Sequence, residues 1–298
     1  MSNSRGRTTI SLIIPTKNRR AVLLETVDAI LKQTRHPDEL IIVDQSATGC
    51  SSLEVRQALD SQPRIRLIYI WDRKITGLPM ARNVGLAVST GDLVCYLDDD
   101  ITPAPDYLAQ VERGFADFPA WAGLCGRFTD DQPGNAGRRL MRAVFRRGLF
   151  RDDRAALAVT KRPVDIRLMC GGAACFRREV LREFRFDENL TGYALGEDFD
   201  FCIRAGRRFR FGGLPAVRWH HRRSAIGRPD PREMRSMARA SAAYLRRAHR
   251  RHVGDDLAYL WLCVGFLLED LFFTSARSIG FGWRTLINGN GKTARARS

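Results

Sequence analysis

Four short apolar runs, Thr9 to Ile14, Leu40 to Val43, Ile65 to Ile70 and Leu93 to Leu97, punctuate the first hundred residues. Helical patterns fill the gaps: Leu23, Leu24, Val27, Ile30 and Leu31 recur at amphipathic spacing after the first run, and Pro79 opens a helix before the fourth. Strand and helix alternating in this way predict a mainly parallel sheet covered on both faces, an α/β fold whose ligands gather outside the carboxyl ends of the strands. Carboxylates stand at two of those ends. Asp44 closes the second run, and Asp98, Asp99 and Asp100 close the fourth.

Beyond residue 101 the rhythm loosens. The pattern predicts a helix near Asp106 to Phe118, a strand around Trp121 to Gly126, an Arg-rich segment of weak periodicity, and a last short strand from Pro215 to Trp219. Gly171 and Gly172 interrupt the apolar stretch Leu168 to Phe176, where a backbone passes close to something bulky or simply turns. From Pro231 the chain reads as helical and basic, with residues 288–298 expected to fray.

Charge separates the two ends of the chain. Of 298 residues, 49 are Lys or Arg and 33 are Asp or Glu, a formal charge of +16. Residues 203–298 alone hold 20 basic and 6 acidic side chains, so the excess belongs to the C-terminal third. An anionic partner is therefore considered, although base-reading aromatics are not interleaved with the basic residues and nucleic acid is disfavoured. Seven cysteines with no Cys-x-x-Cys pair suit free thiols in a reducing compartment. No secretory leader is visible, and Leu257 to Leu268 falls short of the roughly 20 apolar residues of a spanning helix, so a cytoplasmic location is expected.

Asp98 and Asp100, two apart at a strand end, are expected on one face, where a divalent cation such as Mg2+ or Mn2+ can sit with substrate phosphates. The alternative is an acidic turn that caps the next element. A dinucleotide site is excluded because Pro15-Thr-Lys-Asn-Arg-Arg20 stands where Gly-x-Gly-x-x-Gly would follow the first strand. The same absence of a Gly-rich loop disfavours a nucleotidyltransferase. Gly291-Lys-Thr293 mimics the end of a phosphate loop but lacks the upstream glycine.

Five segments in order resemble the inverting family 2 glycosyltransferases: Ser11-Leu-Ile-Ile-Pro-Thr-Lys-Asn-Arg19, Glu39-Leu-Ile-Ile-Val-Asp44, Gly77-Leu-Pro-Met-Ala-Arg-Asn-Val-Gly85, Asp98-Asp-Asp100 and Gly196-Glu-Asp-Phe-Asp200. The likeness covers residues 9–221 and departs at Gln45, where a second acid is common. It implies the GT-A fold, a nucleoside-diphosphate-sugar donor, a Mg2+ or Mn2+ ion, and a glycan or lipid-linked acceptor of the kind found in bacterial cell-surface polysaccharide or glycolipid synthesis. The chain then divides into a tail (1–8), a GT-A domain (9–230, with a nucleotide-sugar-binding half 9–100 and an acceptor half 101–230) and a basic helical extension (231–298).

The resemblance also implies roles. Asp44 and Arg19 would hold the nucleoside, Pro15 and Thr16 would shape its pocket, and Arg82 and Asn83 would face the donor. Asp98 and Asp99 belong to the same nucleotide-sugar site. Asp100 would bind the metal, with Asp98 on the ribose or a metal-bound water and His220 completing the shell. Asp198 would be the general base, Glu197, Gly171 and Gly172 would serve the acceptor, and Asp200 is a weaker candidate base. Each has a plainer alternative: the acids can favour a helix N-terminus, and the histidines can be basic surface. In the extension, Arg232 to His252 and the apolar Leu257 to Leu268 suit peripheral contact with the inner face of a membrane, or packing on the core or on a second copy in a homodimer. Arg138, Arg139, Arg142, Arg146 and Arg147 could add to such a surface.

Overall fold

The computed structural model describes residues 7–49, 51–129, 136–152, 157, 160–191 and 193–287. The start of the expected tail, Cys50, the stretch after 287 with Gly291-Lys-Thr293, and the side chains of Arg138, Arg139 and Arg142 lie outside the described residues.

The first four apolar runs form strands β1 (Ile10–Thr16), β2 (Glu39–Asp44), β3 (Arg66–Trp71) and β4 (Leu93–Leu97), separated by helices α1 (Arg20–Leu31), α2 (Ser52–Leu59) and α3 (Leu78–Val88). They pair in parallel in the order β3-β2-β1-β4. The chain thus leaves β1 toward β2 and later returns to β1's other side as β4, which opens a crevice beyond the ends of β1 and β4.

Parallel pairing is not continued. Strands β5 (Ile101–Pro103), β6 (Trp121–Phe128), β7 (Val164–Ile166), β8 (Ala173–Arg177) and β9 (Arg210–His221) extend the sheet as β4-β8-β6-β9-β5, with β7 also on β9. Of these, β6 and β9 run parallel, and the β4/β8, β6/β8, β5/β9 and β7/β9 pairs are antiparallel. The last strand is more than twice as long as expected because Gly212 and Gly213 weaken its sequence signal. A side chain at Gly212 would enter the Trp121 ring, so β9 can lie against β6 only with glycine there.

Side-chain alternation along the strands feeds two apolar layers. Ile10, Leu12 and Ile14 pack with α1 and with Tyr107, Leu108, Val111 and Phe115 of α4 (Tyr107–Asp117). Ile13 packs on the other face with α3, α6 (Arg178–Glu183) and Phe201 of α7 (Glu197–Ala205). At the amino-terminal edge, Glu39 is buried and accepts from Ser11 Oγ (2.6 Å), Thr90 N (2.8 Å), Thr90 Oγ1 (2.7 Å) and Arg66 Nη1 (2.8 Å). Burial works to raise its pKa, but these donors outweigh it and hold the carboxyl below the ordinary value of 4.5. A depressed carboxylate stabilises the fold above its unfolded pKa and loses that contribution as pH falls through the folded one. Glu39→Gln is therefore expected to lower Tm at pH 7, with the gap to wild type closing below about pH 4.5, as thermal melts across pH would show.

The chain forms two compact units. One comprises Met1–Gln132 and Asp152–Ser241; the other comprises Pro133–Arg151 and Ala242–Ser298. The second contains α5 (Ala136–Phe145), a 3-10 turn (Gly148–Phe150), the end of α8 (Pro231–His249) and α9 (Val253–Ile287). Within it Gly265 and Trp261 of α9 lie against Phe145 of α5.

Candidate active site

The three aspartates after β4 do not follow strand periodicity. The strand ends at Leu97, and Asp98 to Asp100 form a turn before β5 that sends each carboxylate to a different partner. Asp99 is buried and points back to β1, accepting from Thr16 Oγ1 at 2.7 Å and Arg19 Nη1 at 2.9 Å. Burial pushes its pKa up to about 6, against the pull of Thr16 and Arg19 and with Asp98 adding to the push. Asp99 and Thr16, both expected at the donor, thus knit β4 to β1, and Pro15 is buried within β1.

Asp100 points toward β9. His221 Nε2 lies 2.9 Å from its Oδ1, Ser224 N donates to its Oδ2 at 3.2 Å, and Arg19 Nη1 and Arg228 Nη2 stand 3.7 Å from that oxygen. Burial opposes ionisation here, but His221 and the two guanidinium groups prevail and keep the carboxyl below its usual range. The position expected for His220 is therefore held by its neighbour. Successive residues of β9 face opposite sides, and the register with β5 leaves His220 exposed and turns His221 inward. Arg222 fixes the turn from behind, with its backbone N donating to Asp100 O (2.9 Å) and its guanidinium to Thr26 Oγ1 (2.7 Å), Asp99 O (3.0 Å) and Thr102 Oγ1 (2.7 Å).

At the end of β2, Asp44 is buried and accepts from Tyr69 OH at 2.7 Å and from Ser46 N at 2.8 Å. Asn18, at φ +55°, links this end to β1: its backbone N donates to Ser46 Oγ at 2.7 Å and its Oδ1 accepts from Ala47 N at 3.1 Å. Arg19 extends from the same loop to the aspartate turn and to Ile226 O, at 2.7 Å.

The second acidic cluster begins α7. Gly196 has φ +101°, and a Cβ there would enter Ser241 Oγ, so only glycine launches the helix at this angle. Glu197 is buried in an ion pair with Arg82 Nη1. Asp200, the weaker candidate base, is buried and clamped by Arg204 Nε (2.9 Å) and Nη2 (2.6 Å). Asp198 is half-buried and accepts from Gly171 N at 3.3 Å and Phe199 N at 2.9 Å. Burial and the adjacent Asp198 push Glu197 up to about 7, against the pull of Arg82.

Arg82 joins the clusters. It is fully buried, gives one arm to Glu197, and through Nη2 reaches Asp98 Oδ1 at 3.2 Å and Gly171 O at 2.8 Å. Phe186 lies 5.0 Å under its guanidinium. Gly171 and Gly172 thread between the same acids: a Cβ at Gly171 would lie 2.7 Å from Glu197 Oε1, and one at Gly172 would lie 2.7 Å from Asp98 Oδ2. What this backbone passes close to is the protein's own carboxylates. Arg82, expected to face the donor, and Glu197, expected to serve the acceptor, are accordingly joined to each other as an internal strut. Asn83, expected to face the donor, bonds through its amide to Phe186 O (2.9 Å), Phe186 N (3.1 Å) and Glu188 Oε1 (2.8 Å).

A divalent cation fits the aspartate turn. His221 Nε2 stands 2.9 Å from Asp100 Oδ1, and an oxygen plus an imidazole nitrogen is a donor pair that Mn2+ accepts. Among the described residues no third His, Cys, Asp or Glu completes a cage. That matches hard cations that take one or two protein ligands and fill the rest of the shell with substrate phosphate and water.

Comparison with known proteins agrees with this architecture. The uncharacterized glycosyltransferase YwdF of Bacillus subtilis is 32% identical over 70% of this chain and 72% of its own length. The uncharacterized protein y4gI of Sinorhizobium fredii is 27% identical over 85% of this chain, which spans only 29% of that protein. A mannosyltransferase from Pyrobaculum calidifontis, solved with GDP-Man and Mn2+, superposes with a TM-score of 0.61 at 18% identity, covering 95% of this chain and 81% of that one. The model of glycosyl transferase family 2 matches residues 11–185, from the first strand through the aspartate turn and the paired glycines, and the chain belongs to that family.

Proposed function

We propose that this protein moves a sugar from a nucleoside-diphosphate sugar to a hydroxyl of a glycan or lipid-linked acceptor by a single inverting displacement. The observation that carries the reading is Arg82, whose two arms hold Asp98 on the strand-end side and Glu197, next to Asp198, on the other. A carboxylate for the donor and a carboxylate for the acceptor are thereby fixed on either side of two glycines. The reaction class comes from the family, and the mannosyltransferase neighbour lends the donor chemistry through its GDP-Man and Mn2+.

In this reading Asp44 and Arg19 hold the nucleoside. Asp98, the most exposed of the three aspartates after β4, receives the donor's ribose or diphosphate. Asp198 accepts the proton of the acceptor hydroxyl as its oxygen bonds to the anomeric carbon and the bond to the diphosphate breaks. Glu197 acts one step back, holding Arg82 and through it Asp98. A Mg2+ or Mn2+ ion bound by Asp100 and His221, with Asp98 alongside, would supply neutralising charge to the departing diphosphate.

The test is release of nucleoside diphosphate from a panel of nucleotide sugars, with and without acceptor and with EDTA. Acceptor-stimulated, EDTA-sensitive release with inverted anomeric configuration is expected; retention of configuration would overturn the single displacement. Mn2+ should raise Tm in the wild type and in His220→Ala but not in His221→Ala, a binding readout independent of turnover.

A further inference from the structure

We propose that the outer face of α9 is the seam of a two-stranded coiled coil between two copies of this chain. Seven of the twelve large apolar side chains exposed among the described residues lie on this one helix, which is a patch rather than a scatter. Six of them, Val253 (66% exposed), Leu257 (61%), Leu260 (59%), Val264 (40%), Leu267 (67%) and Leu271 (59%), are separated by four, three, four, three and four residues. That is the a/d spacing of a heptad, with Leu257, Val264 and Leu271 at a and Val253, Leu260 and Leu267 at d.

The opposite face of the helix is already in use. Ala258 and Leu262 are buried, Asp255 is buried, and Gly265 sits so close to Phe145 that a Cβ would lie 2.6 Å from its ring. Among the described residues the helix therefore has one face used within its own unit and a second whose apolar side chains stay exposed.

Period and charge select the occupant. A two-in-seven stripe with a 3.5-residue period, flanked at e by Trp261, matches another helix, whereas a helix lying on a bilayer has no reason to keep that period. Between residues 253 and 271 the helix carries Asp255, Asp256, Glu269 and Asp270 and no Lys or Arg, a charge that repels anionic lipid. A second copy presents the same stripe, and a two-fold axis brings a to a and d to d in parallel pairing. Val264 at a, flanked by Leu260 and Leu267 at d, is the β-branched and Leu arrangement that favours two strands. Asp256 and Asp270 fall at g, where parallel pairing faces g with e, and the e positions Gly254, Trp261 and Leu268 carry no charge, so the rims do not oppose like charges; Asp256 is in addition paired with Arg246 at 2.7 Å and Arg250 at 2.5 Å of its own chain.

Light scattering of the full chain at micromolar concentration is expected to give twice 33.7 kDa. Leu260→Glu combined with Leu267→Glu, both on the exposed face, should halve that mass with unchanged far-UV dichroism. A wild type of 33.7 kDa, or a double variant that stays dimeric, overturns the seam. So does sedimentation with phosphatidylserine vesicles by a monomeric wild type that the double variant loses, which would assign the face to a bilayer. If the acidic variants lose helicity, Leu260→Cys in a Cys263→Ser background decides the question. Oxidation should link two chains through position 260, whereas Arg247→Cys on α8 should not cross-link, and failure of the first to link overturns the proposal.

Discussion

With Asp198 as the proposed general base, Asp198→Asn is expected to lower kcat by about 10² to 10⁴-fold while leaving donor affinity near that of the wild type, the range that a positioned general base contributes. The carboxamide nearly preserves shape. Phe199 N and Gly171 N donate to different oxygens of the carboxylate, so the carboxamide oxygen keeps the closer bond, to Phe199 N, and gives up only the 3.3 Å contact with Gly171 N. What disappears is the capacity to accept a proton from the incoming hydroxyl. Single-turnover rates and donor titration by thermal shift measure the two quantities separately. Activity within a few-fold of wild type would remove Asp198 from the chemistry, and a parallel loss of donor binding would place it on the donor instead. Asp200→Asn gives the contrast: its carboxylate belongs to Arg204, so the expected effect is on stability rather than on the chemical step.

Arg82→Ala is the second large effect, and it falls on the fold as well as on the rate. Removing one member of a buried ion pair leaves the other charged and unpaired, at a cost of about 3 to 5 kcal/mol. Against a typical domain stability of roughly 5 to 15 kcal/mol, that is a drop in Tm on the order of 10 °C. Glu197 is expected to take up a proton in response, since burial and the Asp198 charge already push it upward and Arg82 is the main group that restrains it. Arg82→Lys separates the two roles. A lysine keeps the charge but not the fork that reaches Glu197, Asp98 and Gly171 O together, so most of the stability should return while kcat stays depressed. An unchanged Tm in Arg82→Ala would show that the strut is dispensable.

The parallel half of the fold was readable because β1, β2 and β4 are uninterrupted apolar runs, buried on both faces and closed by Asp or a loop. The antiparallel half was harder to read. β9 carries two glycines where β-branched residues would announce a strand, and α5 sits in an Arg-rich stretch whose apolar spacing is diluted. Motif order pointed to the aspartate turn and to the start of α7, but not to what each side chain does there. The choice between His220 and His221 depends on the register of β9 against β5, a long-range property with no local trace. Arg82 and Glu197 are legible in the sequence as donor-side and acceptor-side residues, but that they pair with each other in the interior has no local trace. Their burial becomes visible only when α3 and α7 meet across Gly171. Tyr69, Arg222 and Arg228 escaped notice for a related reason: each sits in an ordinary polar or aromatic context and gains its place at Asp44 or Asp100 from tertiary packing.

The smaller unit is assembled from pieces more than ninety residues apart in the chain, one an excursion between β6 and β7 and the other the C-terminal helices. Deleting the tail is therefore not a clean excision. It would leave α5 behind with Phe145 stripped of Trp261 and Gly265, a freshly uncovered apolar surface prone to aggregate. A shortened version meant to retain only the sugar-transferring part has to remove the excursion at the same time and rejoin the chain across the gap.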